Sequence, residues 1–118
     1  MSPIGSTKWA DSGNGTIGVA SGTEKILASV SVPAGIWVAK GSVNFQSESS
    51  LGSRVAQIYQ SNNGIAKEEV QGNAHGWTSL TVNDIITLTA TTTISIRAKQ
   101  TSGGTIQCQG YLGLVRIK

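Results

Sequence analysis

The sequence predicts an all-β domain, an antiparallel sandwich or jelly roll of about eight to ten strands. Three observations carry that expectation. From Thr16 onward apolar residues recur with period two, β-branched residues crowd between turns, and nothing sustains a helical period. Turn signals built from Gly, Asn, Asp and Pro punctuate the chain about every 8 to 12 residues. Charged residues make up only 13% and apolar residues 38% of the 118. That is too little charge for a disordered tail or a charged coiled coil, and the 15 glycines lack a collagen period.

Each element can be argued in order. Residues 1–15, MSPIGSTKWADSGNG, are small, polar and unpatterned, so they read as an N-terminal arm or linker, with 16–118 as the folded domain. Ile26, Ala28, Val30 and Val32 alternate with Leu27, Ser29 and Ser31, a strand that leads into the turn Pro33-Ala34-Gly35. There Pro presets φ and Gly permits a positive one. After the turn, Trp37, Ala39, Gly41, Val43 and Phe45 form the core face of a long strand, with Ile36, Val38, Lys40, Ser42 and Asn44 opposite. A short strand over 54–60 reaches Ser61-Asn62-Asn63-Gly64, whose Asn-Gly pair predicts a hairpin. A strand from Trp77 to Val82 is expected to turn at Asn83-Asp84 into another over 85–91, with Leu80, Val82, Ile86 and Leu88 on one face. Ile94, Ile96 and Ala98 continue the pattern to Ser102-Gly103-Gly104. The last strand, over 105–117, sets Ile106, Cys108, Gly110, Leu112 and Leu114 inward.

The outward positions are the informative ones. Ile36, Val38, Ile85, Tyr111, Val115 and Ile117 are apolar where a solvated strand needs polar residues. A sandwich has one interior, so a sheet apolar on both sides is expected to bury its second face against another subunit. Only six aromatics and one cysteine are present, so neither a large aromatic core nor an intrachain disulfide is available to stabilise so small a domain.

Nine cations against six acids give a net charge of +3, scattered too evenly to make an electrostatic footprint for nucleic acid. The N-terminus lacks the basic and apolar regions of a signal peptide, and no apolar run is long enough for a spanning helix. A soluble product with no membrane insertion is expected.

The run Val32-Pro-Ala-Gly-Ile-Trp-Val-Ala-Lys-Gly-Ser-Val-Asn-Phe45 resembles the "vPaGtY" opening strand of the jelly roll shared by tumour necrosis factor and the complement globular heads. It is similar above all to the trimeric versions found in bacteriophage tail fibres and receptor-binding proteins. Leu80-Thr-Val-Asn-Asp-Ile-Ile-Thr-Leu88 resembles the "L-x-L-x-x-G-D-x-V-x-L" corner, with Asn83 in place of Gly, and Gly110-Tyr-Leu-Gly-Leu114 resembles the closing strand. The matches run in order over residues 16–117. The resemblance implies a jelly roll assembling as a homotrimer through the apolar second faces, in a virion: a tail fibre, baseplate or receptor-binding head contacting a host-surface saccharide or protein. A capsid decoration or head-fibre trimer, its arm docked on other virion proteins, is the alternative within that class. A secreted complement-like or cytokine-like ligand is the alternative outside it.

Catalytic chemistry finds little support. His75 and Cys108 are the only residues of their types, and Cys108 lies on a core parity. No set of ligands suggests a metal or a cofactor, and Glu48, Glu68, Glu69 and Asp84 show no spacing that singles out a glycosidase pair. Binding chemistry is better represented. Asn73, His75 and Trp77 offer an amide, an imidazole and an indole in one loop, and Tyr59 with Asn62 forms a second polar and aromatic tip. Rings stack on sugars while amides bond their hydroxyls, so both tips are candidate saccharide contacts.

Overall fold

A computed structural model describes residues 3–13, 15–46, 52–72 and 76–118. Among these are nine strands and no helix: β1 (Thr7–Asp11), β2 (Ile17–Ala20), β3 (Glu24–Val32), β4 (Gly35–Phe45), β5 (Ser53–Gln60), β6 (Asn63–Gln71), β7 (Thr78–Leu88), β8 (Thr92–Gln100) and β9 (Thr105–Arg116). One sheet runs β1-β9-β4-β7, with β2 also on β9, and the other runs β3-β8-β5-β6, all pairs antiparallel. Only β5 and β6 form a hairpin of sequence neighbours. Every other pairing joins strands distant in sequence, which is the jelly-roll arrangement.

The core faces follow the period-two reading. Trp37, Ala39, Val43, Phe45, Ile58, Ile94, Ile96, Leu112 and Leu114 are buried between the sheets. Trp37 also donates its indole N–H to the Pro33 carbonyl at 3.0 Å, which pins the start of β4 to the turn before it. In that turn Gly35 has φ +142, and a Cβ there would come within 3.2 Å of the Lys118 carbonyl oxygen. Two other glycines let the sheets approach. A Cβ on Gly41 would sit 2.6 Å from Ile96 Cδ1, and one on Gly110 would sit 2.5 Å from Leu27 Cβ.

Four local expectations are corrected. Within the stretch read as an arm, Thr7–Asp11 pair along β9, so this part belongs to a sheet; a short strand of mostly polar residues gives little periodicity to detect. In β3 the register shifts between Ile26 and Ala28, so Leu27 and Ala28 both turn inward and Ile26 is half exposed. A bulge of this kind defeats parity counting. Asn83 and Asp84 make no turn: β7 is continuous because β4 pairs with it from Gly35 to Phe45, placing Asn83 opposite Lys40 and Asp84 opposite Ala39. The partner strand overrides the local turn preference. Finally, the β5–β6 reversal is at Ser61-Asn62, with Asn63 and Gly64 already paired in β6. Ser61 takes the left-handed conformation (φ 54), held by its N–H to the Thr93 carbonyl at 2.8 Å and by Arg97 Nη2 donating to its carbonyl at 3.2 Å.

Gln100 ties one end of the sandwich together. Its fully buried amide donates to the carbonyls of Val19 (2.8 Å) and Gly104 (2.7 Å) and accepts from the Ser102 N–H (2.6 Å). One side chain thereby satisfies backbone groups of β2 and of the β8–β9 loop. Replacing it leaves these groups without their partner, so Gln100→Leu is expected to lower unfolding free energy by about 2 kcal/mol or more in urea titration. Gly110→Ala is expected to cost about 1–3 kcal/mol by the same measurement, because Leu27 must move to admit the methyl.

Candidate functional site

The outward face of the β1-β9-β4-β7 sheet divides along its strands into an apolar half and a polar half. The ladder registers place Thr7, Val115, Val38 and Ile85 in one row across four strands, flanked by Ile36 and Thr87. The next row holds Trp9, Gly113, Lys40 and Asn83, and the one after it Asp11, Tyr111, Ser42 and Thr81. Beyond these come Gln109, Asn44 and Ser79, where the Ser79 hydroxyl donates to Asn44 Oδ1 at 2.7 Å. The chemistry of this sheet face is thus graded from hydrocarbon to hydroxyl and amide.

All six positions picked out from the sequence as the second apolar face lie on it or at its edge. Val38, Ile85, Tyr111, Val115 and Ile117 are exposed, and Ile36 is half-buried. Ile85, on the edge strand β7, is 63% exposed. Trp9 is equally exposed, at 63%, and sequence reasoning missed its place on this face because it lies in the supposed arm. The signal available was a tryptophan three residues before Ser12-Gly13, a turn in which Asp11 Oδ1 accepts from the Gly13 N–H at 2.9 Å. Between Trp9, Val38, Lys40, Tyr111 and Val115 lies a hollow of about 440 Å³, and at its edge the Tyr111 ring leans over Gly113, where a Cβ would not fit.

The other sheet presents an opposite chemistry outward. Tyr59 donates its phenol to Glu24 Oε2 at 2.6 Å, Arg97 Nη1 meets Glu24 Oε1 at 3.3 Å, and the Arg97 guanidinium stacks 3.8 Å over the Tyr59 ring. The hydrogen bond to Glu24, followed by burial, raises the Tyr59 pKa above its ordinary value, so the phenol stays protonated at neutral pH.

The two proposed saccharide tips are not brought together. Tyr59 and Asn62 lie at the β5–β6 turn, whereas Trp77, half exposed, lies beyond the far end of β6, about 30 Å away along the strand. Asn73, His75 and Glu48 lie outside the described residues. Of the remaining carboxylates weighed as a glycosidase pair, Glu68 and Glu69 alternate along β6, and Asp84 Oδ1 accepts from the Ile85 N–H at 2.8 Å. Among the described residues no three His, Cys, Asp or Glu side chains are grouped as metal ligands.

Cys108 is fully buried, and burial pushes its thiol from 9.0 up to about 12, an effect that Arg54 partly offsets. Its native pKa exceeds the unfolded one, so the thiol's contribution to stability is complete below about pH 9 and is lost progressively as pH rises toward about 12. The Cys108→Ala variant is therefore expected to lose less stability than wild type across that window in urea titrations at stepped pH. Equal slopes for the two proteins would contradict the assignment.

No family model and no curated protein matches the sequence. Solved structures do match in fold. A chain of the infectious bursal disease virus, Gx strain, is 14% identical with a TM-score of 0.69 over 98% of this chain, but the match spans only 33% of the virus chain. The Eiger TNF of S. frugiperda is 9% identical with a TM-score of 0.62, covering 95% of this chain and 93% of its own. The CBM22-1 xylan-binding domain of Paenibacillus barcinonensis Xyn10C is 12% identical with a TM-score of 0.52, covering 100% and 99%. At these identities the likeness is one of fold, and the fold of this chain is a jelly-roll β-sandwich.

Proposed function

We propose that this chain is a non-enzymatic structural module of a virus particle, a phage tail-fibre, baseplate or receptor-binding domain that assembles as a homotrimer and contacts a saccharide on the host surface. The observation that carries the reading is the apolar half of the β1-β9-β4-β7 face, continuous from Trp9 through Val115 and Val38 to Ile85. Exposed apolar residues scattered singly need no explanation, but a contiguous set crossing four strands does.

The layout of that face is compatible with closure into a ring. Ile85 stands out on the β7 edge, and the hollow beside Trp9 lies toward the β1 edge, so projection and recess are different patches. Packed in one direction only, projection into recess around a threefold axis, they make a heterologous contact that closes into a ring, whereas reciprocal packing would make a pair. A trimer would also multiply a weak saccharide site into useful avidity.

The neighbours' identities support the class at the level of fold only. The bursal disease virus likeness supports a virion location and keeps the capsid reading alongside the tail reading, with the N-terminal residues before β1 as the attachment to other virion proteins. The Eiger likeness, which spans nearly the whole of that TNF, favours a second reading: a secreted TNF-like ligand. The xylan-binding likeness supports the compatibility of this sandwich with a sugar site.

Light scattering on the purified protein is expected to give the mass of three chains. Val115→Asp is expected to reduce it to one chain or to aggregate, whereas Ile26→Asp, an equally apolar change on the other sheet, should leave it unaltered. A monomeric wild type overturns the assembly. Binding to intact bacteria and not to animal cells would separate the phage reading from the ligand reading.

A further inference from the structure

The outward face of the β3-β8-β5-β6 sheet carries a groove of about 320 Å³, lined by Glu24, Ser53, Val55, Gln57, Tyr59, Lys67, Glu69, Lys99 and Thr101. Its side chains come from all four strands of the sheet and from Thr101 just past β8. Ser53 and Thr101 close one end, with their hydroxyls 3.0 Å apart, and Tyr59 closes the other. Tyr59 lies six positions along β5 from Ser53, so the lining spans about 20 Å of that strand.

We propose that this groove binds an extended, uncharged glycan chain of the β-1,4-linked kind. The inference rests on the host-saccharide reading above and supplies the location and the class of sugar.

The lining carries two carboxylates, Glu24 and Glu69, and two ammonium groups, Lys67 and Lys99. Glu24 is held by Arg97 and Tyr59, and Lys67 lies 4.0 Å from Glu69. A strongly anionic chain would meet two carboxylates, and a cationic one the ammonium groups of Lys67 and Lys99. A neutral polyol meets neither penalty. It finds instead carboxylate, amide, ammonium and hydroxyl groups that can donate to and accept from its hydroxyls, with Val55 as an apolar floor.

Two features prepare the groove for such a ligand. The Tyr59–Glu24–Arg97 network, extended by Arg97 to the Ser61 carbonyl and the Ser95 hydroxyl, orders side chains that would otherwise be fixed only on binding. Ordering before binding reduces its entropic cost. Gly64 lacks the Cβ that would lie 3.0 Å from Gln57 Cδ, so the Gln57 amide can rest across β6. The groove runs along extended strands from Ser53 to Tyr59, which suits an extended β-1,4 chain better than the coil of an α-1,4 chain.

The test is nuclear magnetic resonance titration of the folded protein with cellohexaose, chitohexaose, maltohexaose and a heparin hexasaccharide at millimolar concentration. Cellohexaose or chitohexaose is expected to shift the amide signals of Val55, Gln57 and Lys99, and Gln57→Ala to weaken that binding by about tenfold at unchanged melting temperature. Shifts with maltohexaose or heparin alone overturn the class of sugar. Binding that survives Gln57→Ala and Lys99→Ala but disappears in Trp77→Ala overturns the groove and leaves the saccharide reading standing. No shift with any of the four overturns this proposal, while the mass from light scattering still decides the assembly on its own.

Discussion

A two-layer sandwich has a single interior, and the β1-β9-β4-β7 sheet carries apolar side chains on both of its faces. That constraint organises the rest of the molecule. Inward, Trp37, Phe45, Leu112 and Leu114 fill the space between the sheets and are fully or almost fully buried. Outward, Val38, Ile85, Tyr111 and Val115 on the same strands remain exposed, along with Trp9 on the strand that extends this sheet beyond β9. Water contact at these side chains costs free energy roughly in proportion to their area, and burial by a second copy, as proposed, would remove that cost.

The two outward faces differ in chemistry and so are suited to different roles. The sheet with the apolar half is suited to self-association, and the sheet bearing Tyr59, Glu24 and Arg97 is suited to solvent and to hydrogen-bonding ligands. Assembly through the first, as proposed, would leave the second facing outward on every subunit. The jelly-roll topology makes this separation possible, because chain-adjacent strands mostly alternate between the sheets and each sheet collects its own composition.

Much of the fold was legible in the residues, and so was the apolar face. Strict alternation in β4 and β9, with large inward side chains and turn residues at their ends, fixes those strands and their faces without any structure. The rest depended on tertiary partners. Asn83-Asp84 carries a strong local turn signal, but β4 pairs across it, and only the pairing shows that β7 runs through. Leu27 packs inward because a bulge lets it, opposite Gly110, a relation between residues far apart in sequence. The polar groove was legible only as Tyr59. Glu24, Arg97 and Lys99 come from other strands, and no local pattern indicates that they meet it.

The claim that the apolar face joins copies of this chain is tested most directly by engineered disulfides. In a Cys108→Ser background, Ile85→Cys with Trp9→Cys places one thiol on the β7 edge and one on the β1 edge, and mild oxidation traps whichever copies bring these edges together. The account predicts a ladder on a denaturing gel that ends at three chains, with either single cysteine giving no trimer. A ladder that ends at two chains, or no cross-linking beyond that of a surface cysteine pair on the opposite sheet, would contradict it.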